Sequence, residues 1–271
     1  MTLIALSPPR HQAVTRAFLT ARWQNLIMLT YAVPPAVLTP LLPPQCELET
    51  IDGDAFVSLV AFDFADTRVA GIAWPGHISF PEINLRFYVR HGEQHGVCFI
   101  RELISKPIVA AVAWLFYNEP YQLAPLRSRV TRQGDLLQVE HCLQIRRRRF
   151  RIQVAADPIA RLTNEWEPEH FFKEQRWGFG TSRGGKLLRY HVQHAPWRIH
   201  PIQEIQMDWD WQAIYGPRWA FLQNQPPCCS MLVAGSAVRL SPGIGVGAEP
   251  PIEDQSTQEA VSPFSKPWQE D

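Results

Sequence analysis

The stretch Pro81-Glu82-Ile83-Asn84-Leu85-Arg86-Phe87-Tyr88-Val89-Arg90 alternates without a break. Ile83, Leu85, Phe87 and Val89 are apolar, and Asn84, Arg86, Tyr88 and Arg90 stand between them. Successive side chains of a strand point to opposite faces, so this is a strand with one face to bury and one that carries polar groups. If the polar face lines the inside of a curled sheet, Asn84, Arg86 and Tyr88 border a pocket. An internal arginine there is a natural anchor for an anion, because its planar fork matches a carboxylate. The plainer reading is a face turned to solvent.

Working outward, two glycines within residues 91–96 predict a turn, and residues 97–102 the returning strand. Upstream, residues 23–32 read as a first strand. The stretch between Pro34-Pro35 and Pro43-Pro44 reads as a short helix that starts and stops at proline. Residues 46–51 and 55–64 alternate on either side of Asp52-Gly53, a strong hairpin signal. Downstream, Ile108, Val109, Val112, Leu115 and Phe116 recur at helical spacing, so residues 106–117 form the main helix, and Pro120 ends it.

Strands are expected at 126–132, 136–145 and 147–155, then a hairpin of 171–179 with 186–192, and late elements at 207–211 and 231–240. There is no βαβ rhythm. The expected fold class is α+β and β-rich: a curled antiparallel sheet forming a barrel or cone, with one main helix and short accessory helices. Residues 13–240 read as a single domain. Residues 1–12 read as a flexible N-terminus, and the Pro-, Gly- and Glu-rich residues 241–271 as a disordered tail.

The 271 residues are 46% hydrophobic and 19% charged, enough for a large core, and the formal net charge is zero. A balanced charge lacks the basic excess of a nucleic-acid partner. The cations are lopsided: lysine occurs only at Lys106, Lys173, Lys186 and Lys266. The five cysteines show no CxxC or zinc-type spacing, which fits a reducing compartment. With no signal-peptide pattern and no apolar run of the ~20 residues a membrane helix needs, a cytoplasmic location is expected.

Four segments could carry chemistry. Besides the strand of Asn84 and Arg86, there is Arg101-Glu102-Leu103-Ile104-Ser105-Lys106-Pro107, where a strand gives way to a helix. Lys106 near a helix N-terminus could lose its proton easily and act as an imine-forming nucleophile, with Glu102 as its acid–base partner. A surface ion pair is the commoner outcome. The third segment runs from Trp177-Gly178-Phe179 to His194-Ala195-Pro196-Trp197 and offers Trp197 as a pocket wall and His194 as a ligand or base. The fourth, Arg146-Arg147-Arg148-Arg149-Phe150-Arg151, could hold phosphates or RNA on one face. Arginines paired with acidic neighbours are the better expectation, since Phe150 is the one aromatic ring beside them. His91-x-x-x-His95 has metal spacing only on a helix, and its glycines argue for a turn, so neither metal nor cofactor is expected.

Several of these segments, in this order, resemble the bacterial YqjF-like (DUF2071) family of uncharacterised proteins. They are Pro34-Pro35 to Leu41-Leu42-Pro43, Asp52-Gly53 with the following strand, the Glu82-x-Asn84-x-Arg86-x-Tyr88-Val89 strand, Trp177-Gly178-Phe179 and His194-Ala195-Pro196-Trp197. The likeness spans about residues 20–240. It implies a fold related to acetoacetate decarboxylase, an antiparallel barrel or cone around an internal pocket. In that enzyme a lysine forms a Schiff base with a β-keto acid, within a motif that runs Arg-Glu, several residues, then Pro-Lys-Lys. Arg101-Glu102 matches its start. Val109 stands where the lysine should be, and Lys106 comes three residues early.

The expected function is therefore binding of a small anionic organic molecule in an internal pocket. Asn84, Arg86, Tyr88, Arg101, His194 and Trp197 would bind it, and Lys106 and Glu102 would be the catalytic pair if it is turned over. The alternatives are decarboxylase-like Schiff-base chemistry through Lys106 and nucleic-acid binding through the arginine strand. The expected partner is a small organic acid, neither a membrane nor a nucleic acid, and homo-oligomerisation is left open.

Overall fold

A computed structural model describes residues 17–246. Twelve strands carry the architecture: β1 (Leu19–Val33), β2 (Asp54–Val69), β3 (Phe80–His91), β4 (Gln94–Ile104), β5 (Leu126–Gln133), β6 (Leu136–Ile145), β7 (Arg148–Ala156), β8 (Trp177–Thr181), β9 (Leu187–His194), β10 (Ile202–Asp208), β11 (Cys229–Val233) and β12 (Ser236–Leu240). The longer helices are α1 (Pro107–Tyr117), α2 (Pro168–Lys173) and α3 (Trp211–Tyr215), preceded by one turn at Pro35–Leu38 between the proline pairs. No helix among the described residues is long and apolar enough to cross a membrane.

Seven strands close a barrel in the order β1-β2-β3-β4-β8-β9-β12 and back to β1. Each neighbouring pair is antiparallel except β4 with β8, a parallel contact of two residues, Gly96 opposite Trp177 and Val97 opposite Gly178. Glycine is required at this seam: a Cβ on Gly96 would lie 2.3 Å from the Trp177 carbonyl oxygen. The first strand is shared. Its start pairs with β12 and its middle with β11, two successive strands that both run antiparallel to it along the same edge.

The alternating strand forms as β3, but its polar face is buried as well as its apolar one, against the plainer expectation of a face turned to solvent. Ile83, Leu85, Phe87 and Val89 point outward into a cluster with Val139, Phe150, Ile152 and Val154. Those last four come from a second sheet, in the order β10-β7-β6-β5, which packs on the barrel's outer surface. Each such fully buried side chain contributes about 1.5–3 kcal/mol over leaving it exposed. The even-numbered residues of β3 therefore face the barrel interior, where Tyr88 belongs to a separate cluster with Met28, Val60 and Trp197.

The hairpin at Asp52-Gly53 forms as expected, both residues with positive φ (53° and 92°). Three expectations need correction. Residues 171–179 are not one strand: Pro168 starts a helix at its first position, where its missing N–H costs nothing, and strand β8 begins only at Trp177. Residues 207–211 straddle the end of β10 and the start of α3, capped by the Asp210 side chain on the Ala213 N–H. Order also continues past residue 241, since Ile244–Gly245 pairs with β9. Residues 1–12 and 247–271 lie outside the described residues.

Candidate functional site

The barrel encloses a cavity of about 110 Å³. Its wall is mostly apolar, with Leu26, Val60, Phe62, Val97 and Trp197 among its lining. Trp74 and Ile108, 46% and 48% exposed, line its outer end, so it reaches solvent between residues 70–79 and the first turn of α1.

The polar groups come from β3 and β4. Glu82, Asn84 and Arg86 follow one another on the inner face of β3, and Glu102 stands beside Asn84 on β4. All four are buried. A β-bulge brings Glu102 there. Arg86 pairs with Phe99 and Leu85 with Arg101, so Ile100 is an extra residue in β4. Without it, the alternation begun by Val97 and Phe99 would aim Arg101 inward and Glu102 outward.

Beyond the left-handed Asn118 that closes α1, the chain adds Glu119 and Tyr121. Asn84 and the Tyr121 hydroxyl donate to the two oxygens of Glu82, at 3.1 and 3.3 Å. Tyr190 of β9 donates to Glu119, at 3.1 Å. Gly178 lets that ring approach, since a Cβ there would fall 2.1 Å from it.

Burial dominates the ionisation of these acids. It pushes Glu82 up to about 7 against its hydrogen bonds from Asn84 and Tyr121, and Glu119 up to about 8. Glu102 is raised well above the ordinary carboxylate range by burial and, after that, by the negative fields of Glu119 and Glu82. A carboxyl kept neutral this way can donate a hydrogen bond.

The cavity also receives Lys173, 2% exposed, from the end of α2, where it forms an ion pair with Glu174. Arg86 and Tyr88 fix that helix end: both donate to the Phe172 carbonyl, at 3.1 and 3.4 Å. Tyr88 also joins a buried hydroxyl chain with Ser58 and Thr30. It supports the wall without lining the cavity.

Asn84, Arg86, Glu102 and Trp197 are thus brought together around one space. Arg101 lies on the other side of the barrel wall, donating to the Ile214 carbonyl with its guanidinium 5.8 Å from the Tyr215 ring. Lys106 precedes the first turn of α1, which gives Ile108 and Val109 to the cavity but not the lysine. His194 sits behind the wall, stacked on Trp197 at 4.2 Å. The sequence reading missed Glu82, Glu119, Tyr121 and Lys173. Pro168 was the available signal for Lys173, because a helix starting there ends at the cavity.

His95 bonds to Glu49 on the outside, and among the described residues no group of three or more His, Cys, Asp and Glu is arranged to hold a metal ion. In the arginine run, Arg148 pairs with Asp210 at 2.7 Å and Arg151 with Glu140 at 3.6 Å.

The DUF2071 family model, described as an uncharacterized conserved protein, matches residues 20–236. The uncharacterized protein YqjF of Bacillus subtilis is 27% identical over 180 residues, which is 65% of this chain and 73% of that one. Among solved structures, an acetoacetate decarboxylase-like enzyme from Sphingomonas wittichii RW1 superposes with a TM-score of 0.59 at 13% identity, over 85% of this chain and 94% of its own. The enduracididine biosynthesis enzyme MppR, complexed with the condensation product of pyruvate and imidazole 4-carboxaldehyde, gives 0.54 at 16% identity, over 88% and 90%.

Proposed function

The chain belongs to the DUF2071 family, its barrel is acetoacetate decarboxylase-like, and on that basis we propose that it binds a small anionic organic molecule inside the barrel. The observation that carries this reading is Arg86. It is buried in the cavity wall, and its Nε has no hydrogen-bond partner in the protein. A buried donor of fixed charge without a partner is costly to leave so, and a carboxylate would relieve it. Lys173 adds a second cation to the same space. The neighbouring enzyme described with a pyruvate condensation product lends support at the level of fold.

Imine chemistry through Lys106 has no geometric support, since that lysine is not part of the cavity wall. Nucleic-acid binding by the arginine strand is weakened by the ion pairs of Arg148 and Arg151.

Calorimetric titration of the purified protein with short carboxylic acids tests the proposal. At least one should bind, and Arg86→Met should weaken it by about 10- to 100-fold, the worth of a charged hydrogen bond. The variant's fold would be checked by circular dichroism. Affinity unchanged in a folded Arg86→Met protein would sink the reading.

A further inference from the structure

Three buried polar atoms on adjoining positions of the wall have no hydrogen-bond partner in the protein: Asn84 Oδ1, Arg86 Nε and Glu102 Oε2. Asn84 and Glu102 are cross-strand partners, and Arg86 follows two residues along the same face. All three residues line the cavity.

Their hydrogen-bonding senses are fixed. The Asn84 amide nitrogen donates to Glu82, so its Oδ1 can only accept. Arg86 Nε can only donate. Burial and its two acidic neighbours raise Glu102 well above the ordinary carboxylate range, and its protonated form has a hydroxyl to give. The wall therefore offers a donor, an acceptor and a donor in sequence.

We propose that the ligand is a small hydroxy carboxylic acid, with its carboxylate on Arg86 and its hydroxyl held between Glu102 and Asn84. This rests on the anion-binding reading above and narrows it. A hydroxyl accepts from Glu102 and donates to Asn84 at once. A keto oxygen accepts but leaves Asn84 Oδ1 buried and unpaired, and an ammonium donates but leaves Glu102 without an acceptor. Each such mismatch weakens binding by about tenfold or more. Size limits the ligand further. A dry cavity of about 150 Å³ accommodates benzene, so one of about 110 Å³ suits roughly six non-hydrogen atoms or fewer.

The experiment is a calorimetric comparison of propionate, pyruvate, alanine and lactate, which share a three-carbon chain and differ at the second carbon. Lactate should bind at least about tenfold tighter than pyruvate or alanine. Asn84→Leu should abolish the preference for lactate over pyruvate. Pyruvate or alanine binding as tightly as lactate overturns the inference and leaves the anion reading standing. So does a folded Asn84→Leu protein that weakens all the acids equally. If none of the four acids binds, the anion reading fails and this inference with it. Should Asn84→Leu not fold, the ranking of the four acids on the unaltered protein decides.

Discussion

Arg101 and Glu102 are neighbours in the chain, yet the barrel wall stands between their side chains: the glutamate lines the cavity and the arginine holds the Ile214 carbonyl on the far side. The extra residue Ile100 makes this arrangement. Arg101→Ala should therefore lower stability by about 1–3 kcal/mol, the range for a hydrogen bond from a charged donor, without changing affinity for a cavity ligand. Denaturant midpoints and calorimetry read the two effects separately. A loss of affinity at unchanged stability would contradict the assignment.

Lys106 lies off the cavity wall. Incubating the protein with pyruvate or another short keto acid, reducing with borohydride and mapping peptides by mass spectrometry should leave Lys106 unmodified. A keto-acid-dependent adduct on Lys106 would restore the imine reading and require the start of α1 to rearrange.

The buried acids make stability depend on pH in a direction opposite to that of a paired carboxylate. Burial raises Glu82 to about 7 and Glu119 to about 8, above the usual 4.5. Between about 4.5 and 8 the unfolded chain has released protons that the folded chain still holds. The contribution of these groups is therefore full below about pH 4.5 and is lost as pH rises through about 7 to 8. Glu119→Gln removes one such proton. Its denaturant midpoint should fall less steeply than that of the unaltered protein from about pH 5 to about pH 9. Superimposable pH profiles would show that Glu119 does not titrate there.

Gly96→Ala should damage the barrel where β4 meets β8. The added Cβ would meet a backbone oxygen, which has less room to move than a side chain. A loss of at least about 1–3 kcal/mol is expected, with poorer ligand binding because the wall is displaced. A variant of unchanged thermal midpoint would mean that the seam is looser than described.

Much of this could be read from the residues. The period-two pattern from Pro81 to Arg90 marked a strand and Asp52-Gly53 a hairpin, because both signals are local. The burial of the strand's polar face went against the plainer expectation of a face turned to solvent. The placement of Arg101 was not legible. A bulge exchanges inside for outside by one residue, and nothing in Phe99-Ile100-Arg101 announces it. Lys173 and Glu119 were overlooked for a different reason. Charged residues are almost never fully buried unless paired, so a sequence reading puts them on the surface until a cavity shows otherwise.

The first strand of the barrel lies between the second and the last. A ribosome delivers β1 early, but β11 and β12, which flank one edge of it, come almost at the end of the described chain. Until then β1 has an open edge that could pair with another nascent chain, and the ring cannot shut. The interior that holds Arg86 and Glu102 is therefore completed only after nearly all of the described chain has been synthesised, and long-range closure of this kind is slow.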